Sequence, residues 1–266
     1  MRDISFGLSS SSANDPGLTH GLQKGLIMFK NGSAVCEEGM GFGVPVVVKN
    51  FQTYLSFGAE VETLKEKDHE ILKKTFFLDA LERVKFRGKE MQSSLHYAWV
   101  ELRGLAYKKI TPLQKLLPTW SRTLKKTGFE FFFKGGESLT KIPVSYRILP
   151  GEIVVRVDLS EFNRTLGKAK LFLLNEQGAS FFSQYRDGSG LSLEREKIGA
   201  WAKVKADQAS FLTDDGTARF CLGRPQGVEL YRGWELLPEA LAWAGLIYDL
   251  SSYEKPLFTY TISLQR

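Results

Sequence analysis

The stretch Gly151–Gly190, GEIVVRVDLSEFNRTLGKAKLFLLNEQGASFFSQYRDGSG, constrains the fold of this chain more than any other. Ile153, Val155, Val157 and Leu159 alternate with Val154, Arg156 and Asp158, the period of two that a strand with one buried face imposes. After a polar connection, Lys170–Leu174 forms a second apolar run, which halts at Asn175-Glu176-Gln177-Gly178. A third alternating run, Ala179–Arg186, closes on the turn signal Asp187-Gly188-Ser189-Gly190. Three strands packed so closely along the chain predict an antiparallel β architecture. Glu176, at the rim of the most apolar pair, is the first polar group whose purpose needs explaining.

The remaining chain extends this pattern. Gly25–Phe29 and Ser33–Cys36 flank Asn31-Gly32, a hairpin signal because both residues tolerate φ > 0. Val44–Val48 and Phe51–Phe57 make a second hairpin. Glu60–Lys89 fits two periods. Leu64, Ile71, Leu72, Leu78 and Leu81 suit a helical face, whereas Phe76, Leu78, Ala80, Val84 and Phe86 suit one face of a long strand. Strands are favoured because Gly88 and the neighbouring runs continue a meander. Ser94–Leu102 reads as a strand, and Thr111-Pro112 as a helix start running toward Gly128. Further strands are expected at Phe129–Phe133, Ile142–Leu149, Leu191–Glu194, Ala200–Ala206, Thr217–Leu222, Gly227–Arg232, Leu241–Leu250 and Leu257–Leu264. So many short strands and no βαβ alternation predict an all-β protein: a large antiparallel β-sandwich with little helix, in one domain spanning 1–266.

Bulk properties narrow the partners. Aromatic residues make up 12% of the chain, which suits pleated surfaces, and a formal charge of +6 is small for 266 residues. The basic cluster Lys108, Lys109, Lys115, Arg122, Lys125, Lys126 and Lys134 has only Glu130 opposing it, but little aromatic interleaving beyond Trp120. It reads as a solvated face, and a nucleic-acid partner is disfavoured. Cys36 and Cys221 sit in no metal-ligand spacing and read as small buried hydrophobes, their pairing left open. No apolar signal region and no membrane-length apolar run occur, which points to the cytoplasm and away from a membrane.

Few motifs carry chemistry. Gly39-Met40-Gly41-Phe42-Gly43 invites a phosphate-loop reading, but a strand follows the glycines where a helix N-terminus is needed, so a bend or bulge is expected. His20, His69 and His96 have no partner at ligand spacing, and no nucleophile elbow occurs. Gly227–Glu235 is richer, with Glu229, Tyr231, Arg232, Trp234 and Glu235 in nine residues. Aromatic rings can stack on the apolar face of a sugar while Arg and carboxylates hydrogen-bond its hydroxyls.

Pro225-Gln226-Gly227-Val228-Glu229-Leu230-Tyr231-Arg232-Gly233 resembles the P-G-V-Q-x-Y-T-G-N stretch of aldose 1-epimerases, and Leu236-Leu237-Pro238-Glu239 resembles their L-x-P-G-E. The resemblance covers about forty C-terminal residues and implies the galactose-mutarotase-like supersandwich. That family's E-T-Q-type catalytic motif and paired histidines have no counterpart here. The expected function is binding of a carbohydrate or other polyhydroxylated ligand, with acid–base chemistry on a sugar if there is a reaction, without a metal or cofactor. Glu176 or Glu235 would then be the base, His96 the acid and Arg232 the group facing developing negative charge, with Tyr231, Trp234 and Tyr185 contacting the ligand. The alternative is a non-catalytic sandwich used for protein interaction or assembly. Oligomeric state is not legible.

Overall fold

Alternation of buried and exposed side chains lays most of the described residues out as strands: among them, the computed structural model is 65% strand and 5% helix. It describes residues 4–8, 21–30, 32–34, 39–50, 52–66, 69–91, 126–166, 169–179, 181–199, 201–216, 218–236 and 242–265. Two antiparallel sheets result. The larger has twelve strands among the described residues, in the order β10 (Phe129–Gly135), β8 (Ala80–Phe86), β5 (Gln52–Leu55), β4 (Gly41–Lys49), β13 (Lys170–Gly178), β20 (Ala242–Asp249), β19 (Glu229–Leu236) and β16 (Ala202–Lys203). Off this path, β2 (Leu26–Lys30) pairs with β4 and carries β1 (Ile4–Leu8) and β3 (Ser33–Ala34), while β9 (Lys89–Glu90) pairs with β8. The second sheet has nine strands: β15 (Ser192–Glu194), β14 (Phe182–Asp187), β17 (Gln208–Thr213), β18 (Arg219–Gly223), β21 (Leu257–Gln265), β12 (Glu152–Asp158), β11 (Lys141–Leu149), β7 (His69–Phe77) and β6 (Gly58–Glu66).

The two inner faces form one core. Ile153, Val155 and Val157 of β12 are fully buried, as the alternation in sequence requires. Edge-to-face and stacked rings continue across the gap: Phe42 of β4 meets Phe220 of β18 at 5.2 Å, and Phe220 meets Phe211 and Phe182 at 5.8 and 5.0 Å. Tyr248 of β20 likewise reaches Phe258 and Tyr260 of β21 at 5.3 and 5.0 Å.

The three expected runs of Gly151–Gly190 are all strands, divided between the sheets: β12 and β14 lie in the nine-stranded sheet and β13 in the other. Some details differ from expectation. The polar connection between β12 and β13 is a helix, α1 (Ser160–Leu166), with Glu161 in its first turn and Phe162 and Leu166 buried. The run from Lys170 does not halt at Asn175 but continues to Gly178. In Glu60–Lys89 the strand reading holds, as β6, β7 and β8. Leu64, on the proposed helical face, is 45% exposed, whereas Phe76, Leu78 and Ala80 are fully buried where the chain passes from one sheet to the other. Asp79 fixes that corner, accepting from the Phe57 N–H at 2.7 Å through its carboxylate and from the Gly136 N–H at 2.8 Å through its carbonyl. As the outermost strand of its sheet, β6 keeps Glu60, Glu62 and Lys65 exposed, a charged edge that discourages further pairing. Cys221 is a free, buried thiol. The expected strand Ser94–Leu102, the helix from Thr111, Cys36 and the basic cluster from Lys108 to Lys125 lie outside the described residues.

Candidate functional site

The bulge expected at the glycine-rich Gly39–Gly43 is present, and it explains why polar residues sit inside β13. The β13–β4 register shifts between Leu174 and Asn175, with Gly43 as the extra residue at φ 76°. A side chain there would meet the Tyr146 hydroxyl at 2.8 Å, so only glycine fits. The bulge turns the Gly43 N–H away from the ladder, and the Asn175 Oδ1 accepts it at 3.1 Å together with the Tyr260 O–H at 2.6 Å. Two residues on, beyond the end of β4, the Gln177 amide donates to Leu26 O at 3.2 Å and accepts from Met28 N at 3.3 Å. A carboxamide presents the same donor and acceptor as a peptide unit, so Gln177 pairs with β2 as a neighbouring strand would.

Glu176, the first expected catalytic carboxylate, points to the other face of the sheet and is 1% exposed. Its Oε1 accepts from the Met40 N–H at 3.1 Å. It pairs with Gly41 on one side and Gly245 on the other, and Gly245 in turn pairs with Gly233. Gly233 and Gly245 have no room for a Cβ: at Gly245 it would meet the Glu176 Cβ at 2.5 Å. The outer face of the sheet therefore carries a row without side chains, broken by the Glu176 carboxylate.

Beside this row lies an accessible polar and aromatic group. The fused bond of the Trp201 indole sits over Gly233, where a Cβ would meet Cδ2 at 2.6 Å and Cε2 at 3.0 Å. Trp201 is half-buried. On the same face, the Tyr231 hydroxyl donates to Glu229 Oε2 at 2.7 Å, and Lys203 donates to Glu229 Oε1. Lys203 and then Tyr231 hold the Glu229 carboxyl below the usual carboxylate range. Burial, then Glu229, pushes the Tyr231 phenol well up, so it stays a neutral donor. Asp249 lies directly across from Glu229, its Oδ1 turned to the N–H and hydroxyl of Ser251. Half-buried Phe172, Leu174 and Ile247 complete the surroundings on β13 and β20.

The expected ligand residues divide at β19, because neighbours on a strand face opposite ways. Tyr231 is outside with Glu229. Arg232 and Trp234 are inside, where the Arg232 guanidinium lies 5.0 Å from the centre of the Tyr185 ring. Tyr185, Arg232 and Trp234 are thus gathered at one edge of the sandwich, and Tyr231 is separated from them by the sheet. Glu235 is in β19, paired with Trp243; the Glu235 side chain and all of His96 are outside what the structure describes. Sequence reading missed Trp201, Lys203 and Asp249, which come from β16 with its flank and from β20. Among the described residues there is no group of three or more potential metal ligands, and no helix long and apolar enough to cross a membrane. No family model matches the chain, no curated protein matches it, and no solved structure matches it.

Proposed function

We propose that this protein binds a carbohydrate or similar polyhydroxylated ligand on the outer face of the twelve-stranded sheet, over β16, β19 and β20. The observation that carries this reading is the Trp201 indole seated over Gly233 beside the Tyr231–Glu229–Lys203 hydrogen-bonded chain. An aromatic platform next to fixed donors and acceptors is the combination a pyranose needs, with its C–H face on the ring and its hydroxyls on the polar groups. The mutarotase-like resemblance at Pro225–Gly233 runs through the same strand and suits this reading. Sugar acid–base chemistry belongs to the proposal as a second step, with Glu176 and Glu235 as the candidate bases.

Trp201→Ala and Glu229→Gln should each weaken binding of a sugar identified on a glycan array by about tenfold or more, equivalent to about 1.4 kcal/mol. Gly233→Ala should do the same by lifting the indole off the sheet. Binding by wild type that survives all three changes would place the site elsewhere. Anomer interconversion, followed by NMR in wild type, Glu176→Gln and Glu235→Gln, separates a binding protein from an enzyme. The alternative, a protein-interaction module, draws on Val61 and Leu64, 56% and 45% exposed on the edge strand β6. A chain that binds no glycan but loses a protein partner on Val61→Lys would favour it.

A further inference from the structure

We infer that Arg232 is the anchor of a second binding site, for a carboxylate or phosphoryl group, at the edge of the sandwich between the two sheets. Arg232 is half-buried on the inner face of β19, across from the fully buried Leu246. A guanidinium drawn into an apolar space is costly unless an anion compensates it. Among the described residues it makes no ion pair. The carboxylates at the ends of β14 and β17 are engaged with other partners. Asp187 lies beyond Tyr185, whose hydroxyl donates to its Oδ2 at 2.8 Å, and its Oδ1 accepts from the N–H and hydroxyl of Ser189 at 3.0 and 2.6 Å. Asp214 is taken by Ser183 and Arg195.

The guanidinium is nevertheless held in place. Its Nη1 donates to Ile198 O at 3.0 Å, and it lies 5.0 Å from the centre of the fully buried Tyr185 ring. A guanidinium has five donors, and spending one on a carbonyl leaves an edge able to take two oxygens of a planar carboxylate or of a phosphoryl group. Two residues along the same face, the buried Trp234 Nε1 donates to no acceptor among the described residues. A buried donor lacking an acceptor, on the same strand face as a fixed guanidinium with no ion pair, points to an oxyanion. The edge strands give this corner little cover: β16 and β15, outermost in their sheets here, are two and three residues long. This site is on the opposite face of β19 from Tyr231 and does not depend on the sugar reading.

The test is titration of the full chain with inorganic phosphate and, separately, acetate against chloride at equal ionic strength. Thermal midpoint and the arginine Nε–H NMR signals are followed in wild type, Arg232→Lys, Arg232→Met and Trp201→Ala. Wild type should show a saturable midpoint rise and one shifting guanidinium signal. Arg232→Lys, which keeps the charge but not the fork, should bind at least about tenfold more weakly, and Arg232→Met should not bind. A response to phosphate alone identifies a phosphoryl ligand, and an equal or larger response to acetate a carboxylate. Trp201→Ala should respond as wild type, so failure here and failure of the outer-face site are told apart. No saturable response to either anion, or a response unchanged in Arg232→Lys, overturns the inference even if Arg232→Met does not fold.

Discussion

Stability in urea should rise by about 2 kcal/mol between pH 7 and about 9.5, then fall steeply above about pH 10. The rise comes from Lys74, which is fully buried on β7, and whose burial lowers the amine from 10.5 to about 8. Between those two values the unfolded chain still holds the proton that the folded chain has released. Folding then releases a proton, and stability increases with pH by up to about 1.4 kcal/mol per unit. The fall comes from Tyr146, Tyr185, Tyr248 and Tyr260, each at most 5% exposed. Burial pushes all four phenols far above their usual 10, with Asp187 adding to the effect at Tyr185 and Arg232 opposing it. Above about pH 10 the unfolded chain loses protons that the folded chain keeps, and four such groups together reach about 5 kcal/mol per pH unit. Tyrosinate absorbance should therefore appear cooperatively, in step with loss of β circular dichroism. Lys74→Met should abolish the rise and leave the fall. Gradual tyrosine titration in a still-folded protein, or an undiminished rise in Lys74→Met, would contradict these assignments.

Replacing Asn175 by Leu should destabilise the fold by about 4 kcal/mol, despite a gain in apolar character at a fully buried position. The Asn175 Oδ1 accepts from both Gly43 N–H and Tyr260 O–H, so Leu leaves two buried donors without an acceptor, at about 1–3 kcal/mol each. The Tyr260 hydroxyl can be removed independently. Adding Tyr260→Phe to Asn175→Leu should recover part of the loss and show a coupling of about 1 kcal/mol or more in a double-mutant cycle. Denaturation giving Asn175→Leu a stability within about 1 kcal/mol of wild type would mean that the bulge is satisfied some other way.

That network marks where local reading stops. Asn175-Glu176-Gln177-Gly178 has the composition of a turn, and nothing nearby in sequence shows otherwise. Its partners, Gly43, Met40, Leu26 and Met28, are 132 to 151 residues away from the side chains they meet. By contrast, the strand runs of β11, β12, β20 and β21, and the bulge at the clustered glycines, follow from neighbours within a few positions. Alternation needs only one apolar and one polar side, and the glycines needed only a strand after them.

Residue alternation by itself established an all-β chain and the inward residues of its regular strands, because period two is a property of the extended backbone. It could not assign strands to sheets. Burial of Val155 is equally satisfied in either layer, and only pairing of β12 with β21 and β11 decides between them. The residues of Glu229–Glu235, neighbours in sequence, are divided between the two faces of β19. Alternation sends Tyr231 to the outer face and Arg232 to the inner one, and the tertiary structure supplies what each meets: Trp201 and Lys203 beside the first, Tyr185 beneath the second.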